Sequence, residues 1–441
     1  MTALLFLIPV MLFVVLATTR WGLHPFLSLL LAALAMGFAG GLESAVILST
    51  LTEGFGNTLR SIGIVIACGV IIGTFLERNG GTAAIAQALL GLVGDRRSPL
   101  AMSITGYIVS VPVFCDSGFV ILATLNRALS RRTAVPLAVL AIALSTGLYA
   151  THVFVPPTPG PLAAAAAVGA DLGLVLLLGL LVSIPVVGVG LAWAIYFCKR
   201  FDIAPGTLPE PEAAAKPDQP TAASALLPIA LPIVLIALRS VAVYPTHPLG
   251  AGLVADILTF IGEPVIALLL GVFAAFYSSG GSSASNRFNW VSDGLKNAGA
   301  IILITGAGGA FGNILRAADV GAALGSIMMD WKLGVVVPFL IAALFKSAQG
   351  SSTVAIITTA ALVAPLLEPL GLVSPAARAL VVLAIGSGAM TVSHVNDSYF
   401  WVVAQFSGMD TATALKCHTA ATLLQGLTGI TTVAALSMVL L

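Results

Sequence analysis

Long apolar runs, separated by short clusters of charge, glycine and proline, set the pattern of this chain. Roughly 15–25 apolar residues is the length that crosses the hydrocarbon of a bilayer as a helix. In the first half such runs cover about 3–19, 23–42, 61–76, 133–150 and 172–198; in the second they cover about 225–243, 262–277, 299–315, 375–392 and 419–441. Two longer stretches, 99–129 and 334–367, are interrupted in the middle. The first interruption is Pro112-Val113-Phe114-Cys115-Asp116-Ser117-Gly118, and the second is Lys346-Ser347-Ala348-Gln349-Gly350-Ser351-Ser352-Thr353. Each predicts a re-entrant hairpin of two half-helices meeting at a polar tip, because non-helical backbone at membrane depth survives only where protein or a wet cavity satisfies it.

Composition agrees with lipid as the main solvent. Of the 441 residues 59% are hydrophobic and 8% charged, and mean hydropathy is +1.07, whereas a soluble domain carries about 25% charged residues. The net charge of +1 is uninformative, and no basic tract suggests nucleic acid. Cys68, Cys115, Cys198 and Cys417 lie far apart without metal-ligand spacing, so neither a disulfide framework nor a metal site is expected. The run 2–18 has no basic residue ahead of it and no A-x-A site soon after, which marks a first span rather than a cleaved signal. With the N-terminus outside, Arg20, Arg78, Arg96, Arg97, Arg131, Arg132, Lys199, Arg200 and Lys216 fall inside, as the positive-inside rule requires, and Arg60 is the one clear exception in the first half. The second half is split, with Arg287, Lys296 and Lys416 inside and Arg316, Lys332 and Arg378 outside. Both termini are thus expected in the periplasm, and residues 202–224, rich in Pro, Ala and charge, read as a flexible cytoplasmic linker.

The halves resemble each other weakly. Glu53-Gly54-Phe55-Gly56-Asn57 matches Asp293-Gly294-Leu295-Lys296-Asn297, and Thr151-His152-Val153 matches Ser393-His394-Val395, with the two hairpin tips between these anchors. Corresponding spans run in opposite directions in this layout. The predicted architecture is an all-α polytopic membrane protein of two inverted repeats, 1–201 and 225–441, each with a re-entrant hairpin and a broken transmembrane helix.

The broken helices carry the second pair of polar clusters. Pro156, Pro157, Pro159 and Pro161 stop the helix after Thr151-His152-Val153. In the second half the run is Ser393-His394-Val395-Asn396-Asp397-Ser398, polar without proline. Two tips and two breaks converging near the midplane make one polar chamber. Ionisable residues at that depth are costly and usually functional. Lys346 reads as the attractor of an anionic substrate, or as the partner of Asp116 until protonation frees it; Asp116 or Asp397 carries the coupling proton; His152 and His394 are candidate relays. The bland alternatives are a structural ion pair and histidines that satisfy freed carbonyls. Ser117, Gly118, Thr158, Gly350, Ser351, Ser352 and Thr353 surround half-helix N-termini, where N–H groups bind anions, and Gln349 and Asn396 add amides for a polyol tail; ordinary N-capping explains the same hydroxyls. Gly306-Ala307-Gly308-Gly309-Ala310-Phe311-Gly312 looks like a dinucleotide loop but lies inside an apolar span, where small residues serve close helix packing, as Gly69 and Gly73 do in the first half.

Several segments resemble the gluconate–proton symporter (gluconate permease) family of the wider ion transporter superfamily: Glu77-Arg78-Asn79-Gly80-Gly81, residues 112–122, residues 151–161, residues 345–358 and residues 393–401. The resemblance spans nearly the whole chain in order. It implies a bacterial inner-membrane secondary transporter that imports gluconate or a related small hydroxylated acid with protons, works without a cofactor, and commonly forms a homodimer. Family members differ in substrate, among them other sugar acids, glycerate-like acids and D-serine. Competing expectations are sodium coupling, a passive channel, and an intramembrane hydrolase; for the last, no H-E-x-x-H is present and nothing fixes Ser117 and the histidines as a triad.

Overall fold

In the computed structural model, residues 2–133, 135–203, 220–243, 252–279, 282–320, 334–395 and 397–441 are described. The first half contains α1 (Thr2–Thr19), α2 (Pro25–Ala39), α3 (Ser44–Arg78), α4 (Gly81–Val93), α5 (Ser98–Val109), α6 (Cys115–Thr133), α7 (Leu137–Phe154), α8 (Pro159–Val168) and α9 (Leu172–Tyr196). The second contains α10 (Ala222–Ala242), α11 (Leu253–Ile261), α12 (Pro264–Ser278), α13 (Ala284–Ala317), α14 (Val336–Gln349), α15 (Ser352–Val363), α16 (Pro375–Met390), α17 (Ser398–Ser407) and α18 (Thr411–Leu440), the last with a π-turn at Leu415–Thr419. Among the described residues, five helical segments, one of them α7 and α8 taken together as Leu137–Val168, are long and apolar enough to cross a membrane, or up to seven if each bent pair counts as one span. The protein is an all-α polytopic membrane protein. Most of the expected linker, 204–219, lies outside the described residues.

Several spans are longer than apolarity alone suggested. The run 61–76 is the apolar part of α3, and 299–315 that of α13. At about 1.5 Å per residue each helix follows a path of roughly 50 Å, α3 with a bend of 47° between Ser61 and Gly63, well beyond a hydrocarbon core of about 30 Å. Their polar ends remain helical because they pair with each other. The two run antiparallel in close contact, pinned at one end by the Arg78–Asp293 bridge (3.0 Å) and at the other by the Asn313 amide donating to the Thr50 carbonyl (3.0 Å). The glycine run of α13 does the packing expected of it: a Cβ on Gly309 would fall 1.9 Å from the Thr58 hydroxyl, and one on Gly308 would meet Ile357 at 2.7 Å.

Around this pair the halves use the same packing. Helix α7 lies on α5, and α16 on α14. A Cβ at Gly147 of α7 would sit 2.2 Å from the Ser103 carbonyl oxygen, and one at Gly388 of α16 would sit 2.2 Å from that of Phe339. The arms then exchange: α6 packs on α17 of the other half, and α15 packs on α8. Helix α7 is buried along its whole length, which puts the structural centre between α7, α16 and the two interrupted stretches.

Candidate functional site

Proline chemistry positions the first break. Helix α7 ends at Phe154, and α8 begins with Pro159 in its first turn, where the missing N–H costs no helix bond. The second break lacks proline and is held in another way. Val392 has φ 58°, a left-handed conformation that a β-branched residue adopts only when its surroundings impose it. Those surroundings are the π-turn of α18 and the turn after it: the Thr419 hydroxyl donates to the Ser393 carbonyl (2.5 Å), and the Ser393 amide donates to the Thr422 hydroxyl (3.0 Å). Gly350, at φ 81°, makes the turn between α14 and α15, and the Ser351 hydroxyl caps α15 by accepting from the Val354 amide (3.3 Å).

These elements bring Lys346 and Asp397 together. Lys346 is fully buried in the last turn of α14, and its ammonium donates to one Asp397 carboxylate oxygen and to the Gly350 carbonyl. The same carboxylate oxygen accepts from the Ser393 hydroxyl, and the other caps α17 through the Tyr399 amide (3.0 Å). Burying an ion pair costs several kcal/mol per ion unless hydrogen bonds saturate it. Asp397 is well supplied, whereas Lys346 uses two of its three N–H donors on these partners. Its ammonium stands 5.9 Å from the centroid of the Tyr149 ring.

A chain of polar groups continues from the pair. His418 Nε2 lies 3.2 Å from the Ser393 hydroxyl, and its Nδ1 lies 3.5 Å from that of Ser145. The Tyr399 hydroxyl donates to the Ser145 carbonyl (2.9 Å), and the Tyr149 and Ser352 hydroxyls are 2.5 Å apart. On the other side, Asp116 sits in the first turn of α6 within electrostatic reach of Asp397 and Lys346, and its buried Oδ1 has no hydrogen-bond partner among the described residues. His152 is buried beside Phe114 (ring centroids 6.0 Å), with Nδ1 likewise unpartnered.

Several of the sequence-predicted residues therefore meet, with one exchange of partners. Lys346 pairs with Asp397, not with Asp116: the second tip meets the second break, and α6 brings Asp116 alongside. Gly350 and Ser352 are at the pair; Thr353 is half-buried in the first turn of α15, and Ser117 is half-buried beside Asp116. His394 is turned to the Ser347 carbonyl (3.0 Å) and steadies the tip. The Thr158 hydroxyl donates to the Val155 carbonyl (2.6 Å), and Gly118 makes room for Leu148, which a Cβ would approach to 2.8 Å. Gln349 ends α14, and Asn396 lies outside the described residues. Sequence reasoning missed His418, Ser145, Tyr149 and Tyr399, and reached Ser393 only as part of the second polar break. The signal for His418 lies in the sequence, an ionisable residue immediately ahead of the apolar run 419–441.

Helix–break–helix units and interrupted helices gathered on a buried ion pair define a polytopic membrane transport protein. The sequence profile described as GntP family permease matches residues 1–439. A Haemophilus influenzae protein described as an uncharacterized permease is 36% identical over 424 residues, which cover 92% of this chain and 86% of its own. The gluconate permease of Pseudomonas aeruginosa is 33% identical over 438 residues, covering 96% and 94%. In fold, the chain superposes on the Neisseria gonorrhoeae efflux pump MtrF with a TM-score of 0.62 at 14% identity, covering 95% of this chain and 96% of that one. The chain belongs to the GntP family of permeases, and is a multi-pass membrane transporter rather than an enzyme.

Proposed function

We propose that this protein is a proton-coupled symporter that imports gluconate or a closely related sugar acid across a bacterial inner membrane by alternating access. The observation that carries the reading is the buried Lys346–Asp397 pair at the meeting of the second tip and the second break. A carboxylate substrate competes with Asp397 for the ammonium. Protonating Asp397 removes the competitor and leaves Lys346 free to hold the anion, so proton and substrate bind as a set. The Ser393–His418 contact supplies a path for that proton, and Asp116, whose buried Oδ1 has no partner among the described residues, is the alternative carrier. The substrate class is supported by the gluconate permease relative.

In this reading the halves 1–201 and 225–441 are inverted repeats joined by a cytoplasmic 202–224, the units α5–α6 and α14–α15 are re-entrant hairpins, and the termini are periplasmic. Support comes from the repeated glycine contacts at Gly147 and Gly388 and from the exchanged arms α6 with α17 and α15 with α8. The assembly is proposed to be a homodimer. The test is gluconate uptake by purified protein in proteoliposomes, with Lys346→Met and Asp116→Asn beside the wild type. Both variants are expected to fold and to lose uptake; near-wild-type uptake in Lys346→Met would overturn the role of the pair.

A further inference from the structure

One face of the molecule holds a cavity that the central site does not use. It lies in the seam between the α3/α13 pair and the arms α8 and α15, with a volume of about 180 Å³. Asn57, Thr58, Asn313 and Arg316 line it over a floor of small residues such as Gly309 and Ala361. A second cavity of about 430 Å³ shares Arg316 with it and adds Arg378 and Glu368. The two arginines are in different states. Arg378 donates to the carbonyls of Val373 (3.1 Å), Val168 (3.4 Å) and Gly169 (3.3 Å), so its charge is spent against the negative C-terminal end of α8. Arg316 is exposed at the end of α13, and its guanidinium has no hydrogen bond or ion pair among the described residues.

The arms connect this seam to the pair. Helix α15 starts at Ser352, beside Tyr149, and reaches the cavity at Ala361, roughly 14 Å further along its axis at 1.5 Å per residue. Gly160, in the first turn of α8, faces Ile356 of α15. Both arms thus point their N-terminal, positive ends toward the centre and their C-terminal ends toward the seam. Arg316 supplies the positive charge that offsets those negative ends, and an anion that it holds is drawn from them toward the positive ends at the centre.

We propose that the seam is an anion-capture vestibule, in which Arg316 binds the carboxylate of a small hydroxylated acid and Asn57 and Asn313 meet its hydroxyls before it moves to the central site. The identity of the acid rests on the transport function proposed above; capture of an anion by Arg316 does not. Two measurements separate them. The first reads the local field without transport. The four native cysteines are buried, so Asn57→Cys gives a reporter thiol in the cavity. It is expected to react faster with an anionic than with a cationic methanethiosulfonate, by about tenfold at low salt, the low end of what focusing in a charged cleft supplies. That preference should vanish in Asn57→Cys/Arg316→Gln and shrink at high ionic strength. The second is uptake kinetics with gluconate: Arg316→Gln should raise KM about tenfold with Vmax kept, and Arg316→Lys should recover most of it. Equal labelling by the two reagents, or a defect in Arg316→Gln that follows the anionic lipid content of the vesicle and spares KM, would overturn the vestibule and make Arg316 a headgroup contact. Failure of the wild type to transport gluconate, with the labelling preference intact, would contradict the substrate and leave the anion site standing.

Discussion

Lys346 is a lysine with no exposed surface, and its nearest charge is one carboxylate. Removing one member of such a pair strands the other, a loss of about 3–5 kcal/mol. Lys346→Met is therefore expected to melt earlier than the wild type in detergent, while Lys346→Met/Asp397→Asn, which keeps the cap on the Tyr399 amide, regains most of the loss and stays inactive. Thermal melts of the single and double variants check this. A double variant as unstable as the single one would mean that the pair is not an isolated electrostatic unit. His418 makes a different prediction, because its two ring nitrogens face the Ser393 and Ser145 hydroxyls, so one can take up a proton while the other releases one. His418→Gln keeps hydrogen-bonding capacity toward Ser393 and Ser145 but cannot relay a proton, so the dependence of the uptake rate on pH should change. A profile identical to the wild type's would assign His418 to packing.

At the scale of elements, the repeated contacts decide how the interrupted units are seated. Gly147 and Gly388 each stand where a Cβ would penetrate a carbonyl oxygen at 2.2 Å. Substituting either with valine forces α7 from α5, or α16 from α14, and overpacking of this kind costs about 1–3 kcal/mol or more. Both variants are expected to lose thermal stability and uptake together, whereas Gly91→Ala, with open space around the site, should be neutral in both assays. Tolerance of Gly388→Val would show that the second unit is not held by this contact.

The elements also show what was legible in the chain. Apolar runs located the long spans, since greasiness over 15–25 residues is a local property. The interruptions at 112–118 and 346–353 appear as breaks between α5 and α6 and between α14 and α15. What local reading could not supply was the polar length of α3 and α13, whose ends are helical because they pair with each other 215 residues apart in sequence at Arg78–Asp293. The partner of Lys346 was missed for a related reason. Asp397 lies 51 residues away, and nothing in spacing distinguishes it from Asp116. Charge type found the residues of the site; only the fold pairs them.

For the molecule as a whole, the exchange of arms has a mechanical consequence. With α6 seated on α17 and α15 on α8, the two tips cannot move independently, and both lie against the long α3/α13 pair through residues such as Gly73, where a Cβ would sit 2.3 Å from the Pro112 carbonyl oxygen, and Gly308. A rigid support with a coupled set of arms suits alternating access. Crosslinking α15 to α13 through Ala361→Cys and Gly312→Cys, positions in direct contact, should stop uptake and be reversed by reductant. Full uptake by the crosslinked protein would mean that this seam does not open during transport.

The central claim is that proton and sugar acid move together. The measurement that tests it most directly is accumulation of labelled gluconate in sodium-free proteoliposomes under an imposed pH gradient, acid outside. The account predicts accumulation above the external concentration, abolished by a protonophore. Equilibration without accumulation, or accumulation only when a sodium gradient is added, would contradict it.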